Sequence, residues 1–458
     1  VDQVFTPAQL QEDFSLMREV FTTLHPALYA YVAQPTFERL LDSIQGRLNT
    51  EMGILAFFKL LSPIIAQIGC GHTAVGLPRS EEHFIQSFMS LKLKFLDGRA
   101  YIIEDYSNSL QLRKGYEVIA INGEPVSQIV NQLFACIPTD GFSTSNKYLF
   151  LDRKFDLYYG LHIAQPDTFT VEVVNHEGVK KIVQIPALQE RGHPSVELAS
   201  DSPHPYPFYL DVLDSITAVM TIDLFYVYDQ NQQKAYPRFL DSCFSLLNQK
   251  KIDNLVIDVR QNPGGYGTWG ALLYSYLADA PFEYYNQAVV ASNKPLPFRE
   301  YLTLDYTEKE YQQYLEKIVT TDSGTLVWTN HENLEKQLPK KNRFSGSVYV
   351  LVGRKSFSTT AEFCAVTYSN RRATFVGEET GGGYYHINGG DLAELTLPHT
   401  GIKFQIPMRK YELAVREVLS KGRGTIPDYY VPQSIEDYLS NQDTEMNFTL
   451  KLIEVKKK

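Results

Sequence analysis

Two strand-to-helix junctions gather the residue types that acyl transfer requires. The first, Asp258-Val259-Arg260-Gln261-Asn262-Pro263-Gly264-Gly265, follows an apolar run. Its adjacent glycines let backbone N–H groups face outward with no Cβ in the way. The second, Gly353-Arg354-Lys355-Ser356-Phe357-Ser358-Thr359-Thr360-Ala361-Glu362, follows the run Val348 to Val352 and opens a helix. A serine at such a junction has an exposed hydroxyl, and the Thr359 amide lies at the positive end of the helix, so attack and oxyanion stabilisation are both served. The plainer job of a serine there is to cap the helix, and Ser356 and Ser358 both admit it. The chain has no GxSxG elbow, so the α/β-hydrolase arrangement is unsupported. Gly265-Tyr266-Gly267-Thr268-Trp269-Gly270 does fit GxGxxG, with Asp279 and Glu283 placed for a ribose acid. Its glycines do not leave the strand directly, as a dinucleotide turn requires, and the pattern alone is weak.

The elements that must hold these turns differ along the chain. Thr6, Pro7 and Gln9 have the spacing of a capping box with proline at the first helical position. Leu10, Phe14, Met17, Phe21 and Leu24 then recur at helical period up to Pro26. Two more helical segments follow, Phe37 to Leu48 and Glu51 to Ile68, ending at the glycine-flanked turn Gly69-Cys70-Gly71-His72-Thr73. From Leu91 to Leu188 the period changes to two, with strands predicted at Leu91 to Phe95, Ala100 to Ile103, Glu117 to Ile121, Thr168 to Val174 and Lys181 to Ile185. A polar, proline-rich stretch from Gln189 to Pro207 reads as a linker. Beyond it strands and helices alternate, which predicts an α/β layer.

Length and composition bound the reading. A chain of 458 residues is too long for one ordinary core and predicts two or three domains. A net charge of −10 argues against nucleic acid or an anionic membrane as the main partner. The most apolar stretch, Gly53 to Cys70, is broken by Lys59, Ser62, Pro63 and Gln67, so no segment is predicted to span a bilayer. Cys70, Cys136, Cys243 and Cys364 form no CxxC pair and read as buried, inert thiols. No clustered His, Asp and Glu spacing calls for a metal, and no cofactor is predicted. The 30 Tyr and 26 Phe suit a groove as well as a core, and decide nothing about function.

The turn Asp258 to Gly265 resembles the D-[LV]-R-x-N-x-G-G segment of the tail-specific, or C-terminal-processing, serine proteases. Further matches follow in order: Ser356-Phe357-Ser358, a helix with Glu362, then Phe375-Val376-Gly377-Glu378-Glu379-Thr380-Gly381-Gly382, and Gly424-Thr425-Ile426-Pro427-Asp428 as the closing motif. Lys114 to Val126 resembles the second half of a PDZ domain, where this family carries one, with the short helix that follows falling on Gln128 to Ala135; a small β insert that only covers the neighbouring domain is the other reading of this segment. The resemblance implies a core related to tricorn protease and to the repeats of interphotoreceptor retinoid-binding protein. It divides the chain into a helical N-terminal segment (1–75), a PDZ-like β domain (76–190) and an α/β, ClpP/crotonase-like peptidase core (205–458).

The family's roles carry over unevenly. Ser358 takes the nucleophile's place, with Ser356 as the other choice, and the oxyanion donors fall on the amides of Thr359 and of Gly264 or Gly265. A Ser–Lys dyad would need lysine at position 383, where this chain has Gly383. The tricorn-type branch uses a histidine instead, and Gly71-His72-Thr73 resembles its G-H-T turn, which makes His72 the base. Glu417 is taken as the acid that orients His72. Glu412, Lys421 (nearest the family's glutamate by position), His386 and Glu379 are the other residues at issue. The implied partner is a peptide or protein substrate, and the oligomeric state stays open. The chain begins at Val1 without a leader, and the expectation is a secreted or periplasmic setting. The same core also accommodates a non-catalytic binder of apolar ligands, or a PDZ-type peptide-binding pseudoenzyme.

Overall fold

The computed structural model describes residues 3–191, 206–229, 232–417 and 419–456. Strands covered on both faces need apolar side chains in both directions, and the runs after residue 205 supply them. They build a six-stranded sheet in the order Phe208–Val212, Thr217–Ile222, Asn254–Asp258, Ser347–Val352, Thr374–Gly377 and Tyr429–Tyr430. Only the first pair is antiparallel. Alternate side chains serve opposite cores. Met220, Ile257 and Val350 pack toward helices Ala235–Lys250, Gly267–Ser275 and Thr359–Ser369. Val219, Val256 and Tyr349 instead pack under helix Thr444–Lys456.

A second, antiparallel sheet of seven strands is built around the hairpin His386–Thr396 and Lys403–Leu413. It shares a core with the first sheet and with helices Pro7–Leu24, Gln34–Gln45 and Ile54–Gln67. Thr6 accepts the Gln9 amide while the Gln9 side chain reaches back to the Thr6 backbone, the capping box expected from sequence. Asp13, buried, then accepts hydrogen bonds from the His399 and Thr400 amides and fastens this helix to the end of the hairpin.

The third sheet is antiparallel, in the order Leu91–Leu96, Arg99–Asp105, Glu117–Ile121, Thr168–Val174 and Lys180–Pro186, and has its own apolar core. Helix Val126–Phe134 packs on it, as does helix Ser145–His162. That second helix falls where no element is predicted, in a segment read at period two; its inward side chains Leu151, Phe155 and Tyr159 recur at helical spacing, which such a reading overlooks. The antiparallel hairpin and helix Thr444–Lys456 were likewise not legible as elements.

The mixed α/β class holds, with eleven α-helices among the described residues. The expected linker falls largely on residues 192–205, outside the described residues. All four thiols are free; Cys136, however, is only part-buried, unlike the other three. Among the described residues no helix is long and apolar enough to cross a membrane.

Candidate active site

Strand Ser347–Val352 delivers the chain to the turn 353–358, and helix Thr359–Ser369 carries it away. Ser358 occupies the capping position by backbone only. Its hydroxyl makes no cap hydrogen bond, and its φ of 51° with ψ of −129° is a conformation that side chains rarely adopt. Ser356 has the structural job: it is fully buried, donates to Val259 O at 2.9 Å and accepts the Gly353 amide at 3.1 Å. The capping explanation therefore fits neither serine, and the two differ in exposure and in task.

The Ser358 hydroxyl meets His72, whose Nε2 lies 3.0 Å from Ser358 Oγ across 286 residues of sequence. Three features hold the imidazole. Gly69 turns the chain with φ of 71° at the end of helix Ile54–Gln67. Strand Ala74–Gly76 pairs with Lys403–Gln405, and the Gln405 side chain donates to His72 O at 3.1 Å. The ring stacks on Phe357 with centroids 4.6 Å apart. Burial pushes the His72 pKa down to about 4, so the ring is neutral near neutral pH and Nε2 is free to accept a proton. His72 Nδ1 is buried and has no partner among the described residues.

Glu417 is not brought to that nitrogen. It is exposed and makes no hydrogen bond to His72; beside it the Arg416 amide donates to Ser369 Oγ at 2.8 Å. The other acids are engaged elsewhere: Glu412 pairs with Lys410 and Gln287, and Glu379 with Arg423 and the Gly424 amide. His386 stacks on Tyr31. Lys421 is exposed.

The glycine turn abuts Ser358. A Cβ on Gly264 would stand 2.7 Å from Ser358 Cβ and 3.2 Å from Thr359 N, so only glycine fits. Of the two glycines, Gly264 already donates its amide to Asn262 Oδ1 at 2.9 Å. The amides of Gly265 and Thr359 have no acceptor among the described residues, and the Thr359 hydroxyl donates to Gly265 O at 2.9 Å, fastening the two segments together. The same glycines dispose of the dinucleotide pattern, because a Cβ on Gly265 would stand 2.2 Å from Phe225 O; the residue serves a close backbone crossing. Among the described residues no three His, Cys, Asp or Glu side chains are grouped to hold a metal ion.

Two buried acids near the site were not singled out for it from sequence. Glu362, one turn into helix Thr359–Ser369, accepts from Tyr285 OH at 2.7 Å, and burial raises its pKa to about 7. Asp140, beyond helix Val126–Phe134, accepts the Gly71 amide at 2.8 Å and the Gly383 amide at 3.1 Å. Nothing local marks Asp140, since an Asp-Gly pair reads as an ordinary turn.

A serine on a strained strand-to-helix turn, a neutral histidine and two free amides are the parts of acyl transfer, and the sequence profile of the region agrees: residues 218–431 match Peptidase family S41. The chain carries an S41 peptidase domain. It is a serine peptidase whose substrates are peptides or proteins. No curated protein matches the chain in sequence. The fold of this S41 peptidase is similar to that of mature CPAF in complex with lactacystin, at 16% identity and a TM-score of 0.67 over 98% of each chain. Mature CPAF alone is similar at 16% identity and a TM-score of 0.65, over 95% of this chain and 96% of the other. These likenesses extend well beyond the S41 span, so the N-terminal helices and the third sheet belong to a shared architecture. His72 itself lies outside residues 218–431.

Proposed function

We propose that this S41 peptidase cleaves peptide bonds through an acyl-enzyme, with Ser358 as nucleophile and His72 as general base. The observation that carries this is the 3.0 Å approach of His72 Nε2 to Ser358 Oγ. His72 Nε2 takes the hydroxyl proton as Oγ attacks the peptide carbonyl carbon. The negative charge that develops on the carbonyl oxygen is met by the amides of Thr359, at the start of its helix, and Gly265, rather than Gly264. The imidazolium then returns the proton to the leaving amine. Water attacks the ester with His72 again as base, releasing the acyl group and restoring Ser358.

In this reading residues 76–190 are a PDZ-like domain that presents a substrate's C-terminal segment to the core at 205–458, with the segment 1–75 supplying the base. Its antiparallel sheet and packed helix support this, and the outer strand Lys180–Pro186 leaves one edge for strand addition.

Incubation with a small fluorophosphonate, followed by peptide mass spectrometry, tests the chemistry. An adduct on Ser358 that is lost in His72→Ala is expected; an adduct on another serine, or labelling indifferent to His72, refutes the assignment. Cleavage of peptides that differ only at the C-terminus tests the PDZ-like role, which indifference to that terminus would remove.

A further inference from the structure

Asp140 is only 3% exposed, yet the acyl transfer just described gives it no part. Its two carboxylate oxygens are divided between two backbones. Oδ1 accepts the amide of Gly71, the residue before His72, at 2.8 Å, and Oδ2 accepts the amide of Gly383 at 3.1 Å. Gly383 belongs to the turn that backs the nucleophile, since the Gly381 and Gly382 amides donate to Ser356 O at 2.9 and 3.3 Å. The neighbours of Asp140 continue the bridge: the Gly141 amide donates to Gly69 O at 2.9 Å and the Phe142 amide to Gly422 O at 2.7 Å. Gly141 has φ of 59°, and a Cβ there would stand 2.4 Å from Gly422 O, so this strap threads a gap with no room for a side chain.

We propose that Asp140 is a positioning residue of the S41 site: its carboxylate ties the His72 turn to the turn behind Ser358, and so sets the distance between base and nucleophile. On this assignment the segment between helices Val126–Phe134 and Ser145–His162 is part of the catalytic geometry. An asparagine cannot replace the carboxylate, because its single carbonyl oxygen satisfies one amide while its NH2 faces the other N–H. Burial raises the Asp140 pKa to about 6 although both amides oppose the rise. The titratable groups around it add no cation: Tyr31 and Cys70 are both held protonated by burial and by the Asp140 charge. His386, stacked on Tyr31, is held neutral by burial. The tie therefore weakens as pH falls through about 6, where His72 is still neutral.

This assignment rests on the Ser358–His72 pairing, and fluorophosphonate labelling separates the two. With wild type labelled at Ser358, Asp140→Asn that is still folded at the assay temperature is expected to slow labelling about 10- to 100-fold near pH 8, the scale of a misplaced reacting group. The wild-type rate is expected to fall with a midpoint near pH 6, and that limb in Asp140→Asn to move toward the His72 titration near pH 4. Equal rates and equal pH profiles in the two proteins overturn the positioning role while leaving the pairing intact. If Asp140→Asn does not fold, the wild-type limb decides, and a midpoint near 4 in place of 6 overturns it. Wild type that takes no label at all overturns both.

Discussion

Ser358 holds its position at a conformational cost. With φ of 51° and ψ of −129° it occupies a region that costs a residue bearing a Cβ on the order of 1–3 kcal/mol. The strain aims Oγ at His72 and away from the helix's free amides. Alanine retains the strain and glycine relieves it, at the expense of a looser unfolded chain. Ser358→Gly is therefore expected to be more stable than Ser358→Ala by about 1 kcal/mol, with neither taking up the label. Chemical denaturation of the two variants checks this, and equal midpoints would show that the turn is not strained.

At the scale of elements, the turn that carries Gly264 and Gly265 is braced from behind. Arg260 donates to Asp258 at 2.6 Å, to Asp443 at 2.6 Å and to Glu445 at 3.1 Å, which joins the strand end to helix Thr444–Lys456. That helix covers the sheet face bearing Val219, Val256 and Tyr349. Removal of the guanidinium leaves three carboxylates facing one another in a half-buried site. Because Asp443 is partly exposed and screened, the expected loss for Arg260→Ala is about 2 kcal/mol, below the figure for a fully buried pair. Thermal unfolding reads the loss directly; an unchanged Tm would mean that apolar packing alone holds the helix.

Across the whole molecule, buried titratable groups set the pH dependence of stability. Burial depresses His25 to about 3, and His72, His162, His331 and His386 to about 4. Each contributes stability that is present above the unfolded pKa near 6.5 and is lost as pH falls through the folded value. Asp140 and Glu362 act in the opposite sense. They are raised to about 6 and 7, so their contribution is present below the ordinary carboxylate range and is lost as pH rises through those values. Between about pH 4 and 6.5 the unfolded chain thus binds more protons at histidines than the folded chain holds on these acids, and stability is expected to rise with pH. Tm measured across this window checks the sign; a Tm that falls with rising pH would mean the buried acids dominate.

Much of this molecule was legible in its residues. The runs Asn254–Asp258 and Ser347–Val352, the helix after Ser358 and the capping box at Thr6 follow from local period and turn chemistry, which act over a few residues. Helix Ser145–His162 escaped because an apolar, aromatic segment reads at either period until its neighbours choose one. At the site, sequence could place a serine and two glycines at junctions, but not decide whether the Ser358 hydroxyl caps its helix or meets a histidine, nor which glycine amide is free. Those outcomes depend on the 3.0 Å contact with His72 and on Asn262 engaging Gly264. His72 was accessible only by resemblance and Asp140 not at all, because contacts between residues far apart in the chain leave no periodic trace. Local propensity determines elements and turns; only packing decides which turns meet, and in this protein the chemistry lies where they do.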